Sequence, residues 1–113
     1  MPRNGAIAED KAVDFLAQEG YEIISRNWRT RWCEIDIVAL KDDAIHFVEV
    51  KYRARPFWGE GIDYITNQKL RQMQFAAEFW ISSHSWRGGY FLSALSLTGK
   101  DFSVDYFVED LSR

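Results

Sequence analysis

Hydrophobic positions along this chain follow two spacings, one helical and one alternating. From Asn4 to about Glu19, Ala8, Ala12, Phe15 and Leu16 recur at helical spacing and form one apolar arc. Asn4 is the expected cap and Gly20 the expected stop. Residues 21–27 read as a first strand suited to a sheet edge, and residues 28–33 as a loop. Two apolar runs, IDIVAL and IHFVEV, then flank Lys41-Asp42-Asp43-Ala44. Ile, Val and Phe favour strands and Asp-Asp suits a turn, so residues 34–51 are expected to form a β-hairpin tipped by Asp42 and Asp43. Thr66 caps a second helix to about Ser83, with Leu70, Met73, Ala77, Trp80 and Ile81 as its buried stripe. Residues 85–89 read as a turn, and 90–98 and 102–108 as two final strands joined by Gly99-Lys100-Asp101. The expected class is α/β, ordered helix, three strands, helix, two strands, in one domain of 113 residues.

The hairpin carries the chemistry. A loop symmetric about Asp42-Asp43 pairs Leu40 with Ile45, Val38 with Phe47, Asp36 with Glu49 and Glu34 with Lys51, all on one face. Directly opposed side chains stand about 5 Å apart. Two carboxylates at that distance repel by about 3 kcal/mol at an effective dielectric of about 20. A divalent cation between Asp36 and Glu49 would turn the repulsion into coordination, since Mg²⁺ takes hard oxygen ligands. The bland alternative is a solvated face with Glu34–Lys51 as a surface ion pair. The other face, assigned to Ile35, Ile37, Ala39, Val48 and Val50, makes both sides apolar, as in a covered central sheet where charge is expensive. Glu9 falls inside the apolar arc of the first helix. A first-turn acid gains from the helix dipole, which accounts for its presence but not for its inward direction.

Composition changes this picture in few places. The net charge of −3 argues against a general nucleic-acid binder, but the basic residues are clustered. Arg26, Arg29 and Arg31 lie before the hairpin and Lys51, Arg53 and Arg55 after it, so both groups flank its open end. Acids gather elsewhere, at Asp101, Asp105, Glu109 and Asp110. Arg29 and Arg31 with Trp28 and Trp32 suit phosphate gripping and base stacking, although core packing is the commoner role of tryptophan. Residues 52–64, with Pro56, Phe57, Trp58, Gly59 and Gly61, read as a loop that either faces substrate as a lid or folds back over the core. Lys69 and Arg71 start the second helix, where the dipole disfavours cations. An anionic partner would explain them, as would a merely unoptimised helix start. Phe75 and Phe79 lie off the buried stripe and could form a dimer face. The single Cys33 excludes an internal disulfide, and neither a long apolar run nor a signal-peptide core is present, so a cytoplasmic protein with no membrane partner is expected. His46 points away from the Glu49 face and His84 ends a helix, so neither is a candidate.

An acid in the first helix, Asp36, and then Glu49-Val50-Lys51, in this order of elements, resembles the restriction-endonuclease-like nucleases of the PD-(D/E)XK type. Nearly the whole chain also looks like the small bacterial YraN family, akin to archaeal Holliday-junction resolvases. The residues that carry the likeness are Glu9 with Ala12 and Leu16, Gly20-Tyr21, Arg26-Asn27, Glu34-Ile35-Asp36, Phe47 to Lys51, and Lys69. Ala8 and Cys33 stand where that family usually has glycine. The resemblance implies a restriction-endonuclease-like three-layer core with a mixed central sheet and Mg²⁺-dependent (or Mn²⁺-dependent) cleavage of DNA. It places metal on Asp36, Glu49, Glu9 and the Val50 carbonyl. Lys51 becomes a catalytic cation supported by Glu34, and Lys69 with the arginines holds the phosphate backbone. Loss of catalysis would leave a nucleic-acid-binding module, and a protein-interaction domain is the third possibility.

Overall fold

The hydrophobic pattern forms seven elements in the expected order: α1 (Asn4–Gln18), β1 (Glu22–Arg29), β2 (Glu34–Lys41), β3 (Ala44–Arg53), α2 (Asn67–His84), β4 (Gly89–Thr98) and β5 (Ser103–Val108). They are seen in a computed structural model that describes residues 3–54 and 65–112. Arg55 and the rest of positions 55–64 of the loop expected at 52–64 lie outside the described residues, while Tyr52 and Arg53, expected in that loop, belong to β3. Among the described residues no helix is long and apolar enough to cross a membrane.

The helix ends show local chemistry at work. Thr66 caps α2 as expected, its Oγ1 accepting the Lys69 N–H at 3.0 Å. Gly20 stops α1 at φ +92, a left-handed conformation that favours glycine, and there the Tyr21 N–H reaches back to the Leu16 carbonyl at 2.9 Å. The α1 start differs from expectation. Asn4 is already helical, and Arg3 occupies the cap position with no side-chain hydrogen bond.

The five strands form one sheet in the order β1-β2-β3-β4-β5. All pairs are antiparallel except β3 with β4, which α2 connects as a crossover. The β2–β3 hairpin has the expected register from the turn to Ile37 opposite Val48, with Val38 opposite Phe47 and Leu40 opposite Ile45, but the ladder does not extend to the expected Asp36–Glu49 and Glu34–Lys51 pairs. Asp42 and Asp43 turn it with φ of 51 and 62, the pair of positive values that a two-residue type I′ turn demands.

Each helix covers one face. Ala8, Ala12 and Leu16 of α1 pack on Ile37, Ala39, Val48, Leu95 and Leu97. Met73, Ala76, Ala77 and Trp80 of α2 pack on Ile35, Val38, Ile45, Phe47 and Ala94. Ile35 and Ile37 therefore lie on opposite faces, although two-residue spacing should put them together. Arg26 pairs with Ile37 and Trp28 with Ile35. The residue skipped between these β1 partners is Asn27, with φ +53, and the residue skipped on β2 is Asp36. A left-handed residue at this point reverses the face that β1 presents, and β2 reverses with it. The expectation that Ile35 shares a face with Ile37 and Ala39 is corrected here. The loop expected at 28–33 also shrinks to 30–33, because Trp28 and Arg29 remain paired in β1.

Candidate functional site

Asp36 sits in this break and is partly buried. The β2–β3 register is continuous only as far as Ile37 opposite Val48. Beyond it the Asp36 side chain takes the place of a main-chain acceptor, its Oδ2 receiving the Val50 N–H at 2.8 Å. Burial raises the Asp36 pKa most, and the Glu49 carboxylate raises it next. The Val50 hydrogen bond opposes both, and Glu9 and Glu34 add further repulsion, with the balance at about 6.

The other two acids are held differently. Glu49 projects on the α2 side, where its Oε2 lies 3.1 Å from the Lys69 Nζ. The anion that explains a cation at the start of α2 is thus found within the chain. Glu9 lies in the second turn of α1, since that helix begins at Asn4, and the first-turn dipole does not account for it. Its Oε1 accepts from Asn27 Nδ2 at 2.7 Å and from Arg26 Nε and Nη2 at 3.3 and 3.2 Å. Asp10 also receives Arg26 Nη2 at 2.6 Å. Sequence reasoning had assigned no role to Asn27. Its left-handed φ makes the break, and its side chain orients Glu9.

Two clefts open beside the break. One of about 490 Å³ on the α1 side is lined by Glu9, Arg26, Asn27, Asp36, Val50 and Tyr52. The other, about 550 Å³ on the α2 side, is lined by Trp32, Glu34, Glu49, Lys69, Arg71 and Phe75 among others. Asp36 also lines a small gap with Glu49, Phe47 and Met73. Glu9 and Glu49 therefore belong to different clefts, with Asp36 in the strand break between them. Among the described residues, no three or more His, Cys, Asp or Glu side chains form a group that could hold a metal ion.

Residues 8–103 match the profile of the Uncharacterised protein family UPF0102, a span that contains Glu9, Asp36, Glu49, Lys51 and Lys69. The chain belongs to the UPF0102 family. A UPF0102 protein of Helicobacter hepaticus is 43% identical over 91 residues, covering 80% of each chain. One of Cytophaga hutchinsonii is 35% identical over 102 residues and covers 90% of each chain. One of Myxococcus xanthus is 35% identical over 97 residues, covering 85% of this chain and 77% of its own. This is the YraN-type family to which the residues pointed.

The remaining candidates of the UPF0102 chain fall into place around the acids. Glu34 does not reach Lys51. It pairs instead with Arg29, its cross-strand neighbour on β1, at 3.6 Å, because the alternation has reversed between Asp36 and Glu34. Lys51 is exposed on β3 opposite Ser96 and, among the described residues, has no ion-pair partner. The Arg31 guanidinium lies 5.2 Å from the ring centre of Trp32. Arg53 stands on β3 opposite Thr98, and Arg55 is outside the described residues. Both histidines have structural surroundings. His46 is buried on the side away from Glu49, with Nδ1 at 3.2 Å from Ser93 Oγ and its pKa pushed down by burial. The His84 ring stacks on Trp80, and its Nδ1 lies 2.8 Å from the Trp80 carbonyl.

Proposed function

We propose that this UPF0102 protein is a metal-dependent nuclease that hydrolyses phosphodiester bonds in DNA, on a restriction-endonuclease-like core. The observation that carries the reading is Asp36. Its carboxyl group is partly buried at a break in a central strand, and its pKa is pushed up to about 6 by that burial and by Glu49. Asparagine would keep the Val50 hydrogen bond without the charge, so stability alone gives no reason for an aspartate here. Strongly perturbed acids of this kind concentrate at functional sites.

Asp36, Glu49, Glu9 and the Val50 carbonyl are hard oxygen donors of the kind Mg²⁺ or Mn²⁺ takes, but Glu9 and Glu49 line different clefts and would have to leave Arg26, Asn27 and Lys69 to share one ion. Once bound, a divalent ion supplies Lewis-acid polarisation of the phosphate and a more acidic water. Asp36 loses its proton near pH 6 and is a carboxylate at neutral pH, as ligation requires. Lys51, exposed and without an ion pair among the described residues, is the cation that stabilises developing negative charge. Lys69, Arg29, Arg31, Arg53 and Arg55 hold phosphates, which makes binding salt-sensitive. Branched or structured DNA is the substrate class that the likeness to junction resolvases suggests.

Branched, flapped and linear DNAs incubated with Mg²⁺ or Mn²⁺ provide the test. Cleavage should fall to background in Asp36→Asn and Glu49→Gln, and by about 10²-fold in Lys51→Ala. Undiminished cleavage by all three variants sinks the assignment. One observation favours a second reading, a nucleic-acid-binding module without catalysis: Lys69 already pairs with Glu49, and Arg26 with Asn27 already satisfies Glu9. Retained DNA affinity with no heat of Mn²⁺ binding in calorimetric titration would establish it.

A further inference from the structure

We infer that the α2-side cleft is a stacking platform for unpaired nucleotides, so the strand that reaches the carboxylates is single-stranded at that point. Only the fate of that strand rests on the nuclease reading; the binding does not. The helical spacing that buries Met73, Ala76, Ala77 and Trp80 turns Phe75 outward. Phe75 is 51% exposed and Trp32 is 64% exposed, so neither ring does much for the core. Phe79 links them, with ring centres 6.2 Å from Phe75 and 5.9 Å from Trp32. Trp28 supports the group from β1, with its ring centre 6.0 Å from Phe79.

Charge identifies the occupant. The acids of this cleft are matched within the chain, Glu34 by Arg29 and Glu49 by Lys69. Among the described residues neither Arg31 nor Arg71 has an ion-pair partner, so the surplus charge beside the rings is positive. Exposed aromatic faces beside unneutralised arginines complement a strand that offers both base faces and phosphates. A duplex keeps its base faces stacked inside. A second copy of this chain, docking the same patch on itself, would bring Arg31 and Arg71 against like charges. Glu49 lines the same cleft as Trp32 and Phe75, so a stacked strand lies beside the carboxylate site.

Fluorescence anisotropy with labelled oligo-dT or oligo-U of about 15 nucleotides, against a duplex of the same length, tests this in chelator at low salt. Either single strand should bind more tightly than the duplex. Trp32→Ala and Phe75→Ala should each weaken single-strand binding by roughly 5- to 100-fold and leave duplex binding within about twofold, while Trp32→Phe keeps most of the affinity. Both positions are exposed, and circular dichroism verifies that the variants fold. Wild-type single-strand affinity in both alanine variants overturns the inference. So does a dimer in sedimentation that Phe75→Ala dissolves without changing oligo-dT binding. The two readings fail separately: strand binding through Trp32 with no cleavage in Mg²⁺ retires the nuclease and keeps the platform. Cleavage with equal affinity for single strand and duplex does the reverse.

Discussion

At its closed end the β2–β3 hairpin sets Val38 against Phe47 and Leu40 against Ile45, apolar pairs in unbroken register over the α2-side core. A few residues away, at the open end, the same strands carry Asp36, Glu49 and Lys51, and the face reverses where Asn27 turns left-handed. Of these four side chains Val38, Ile45 and Phe47 are buried and Leu40 is half-buried, and the charges at this end, on Lys41, Asp42 and Asp43, stay at the turn, as a stability-driven sheet would have it. At the open end a carboxylate replaces a ladder acceptor, beside three acids that repel it, Glu49, Glu9 and Glu34. The contrast separates what the fold needs from what it tolerates. The closed end stabilises the sheet, and that stability offsets a costly arrangement at the open end.

Four measurements break or sharpen that contrast. The largest effect belongs to the closed end: Phe47→Ala, at a fully buried ring, should cost about 3–5 kcal/mol in urea unfolding. A cost near that of a surface substitution would remove the distinction.

Asp36→Asn should act in the opposite direction. The folded pKa of about 6 lies above the ordinary 3.8, so the folded state holds its proton more tightly than the unfolded chain. That contribution is fully present below pH 3.8 and is lost as pH rises through 6. Above pH 6 the asparagine variant should therefore be more stable by up to about 3 kcal/mol, with a flatter pH profile, whereas the proposed nuclease reading requires the same variant to lose cleavage. Thermal melts from pH 4 to pH 8, showing the two proteins parallel throughout, would contradict this.

Asn27→Ala should come next, losing about 1–2 kcal/mol through left-handed strain, together with the hydrogen bond that orients Glu9. Asn27→Gly should recover the backbone part in the same melts but not the orientation. If alanine and glycine behave alike, the positive φ is not what holds the break.

The smallest change in stability should come from Lys69→Ala, under about 1 kcal/mol because the pair is partly solvated. It also frees Glu49, so Mn²⁺ should bind the variant more tightly by calorimetry. Unchanged Mn²⁺ affinity would show that the ion pair does not compete with metal.

The elements of the fold were legible because each depends on short-range spacing. Leu16 and Ala12 recur at a helical interval, Thr66 caps its own helix and Gly20 ends the other, all within a few residues. The hairpin register was also legible, since a two-residue turn at Asp42-Asp43 dictates every pair up to Ile37 and Val48. For the candidate site, the neighbourhood of the acids was legible more than their partners. Asp36, Glu49 and Glu9 do converge on the open end of the hairpin, but from opposite sides of the sheet. The expected Glu34–Lys51 pair failed for a specific reason: two-residue alternation was carried through a point where the chain reverses it.

The sequence by itself determined the order of elements, the tight turn, the two covered faces and the presence of acidic and basic groups near one end of the sheet. Hydrophobic period and turn chemistry act locally and leave a mark on every few residues. Only the tertiary structure decided which charges meet. Nothing in the hydrophobic pattern marks Asn27 as left-handed, and it is opposite this position that Ile35 and Ile37 part to different faces. The partner of Glu49 is Lys69, twenty positions on, brought back by the crossover through α2. Contacts between elements distant in sequence arise from packing on both faces of one sheet, and no local period encodes them.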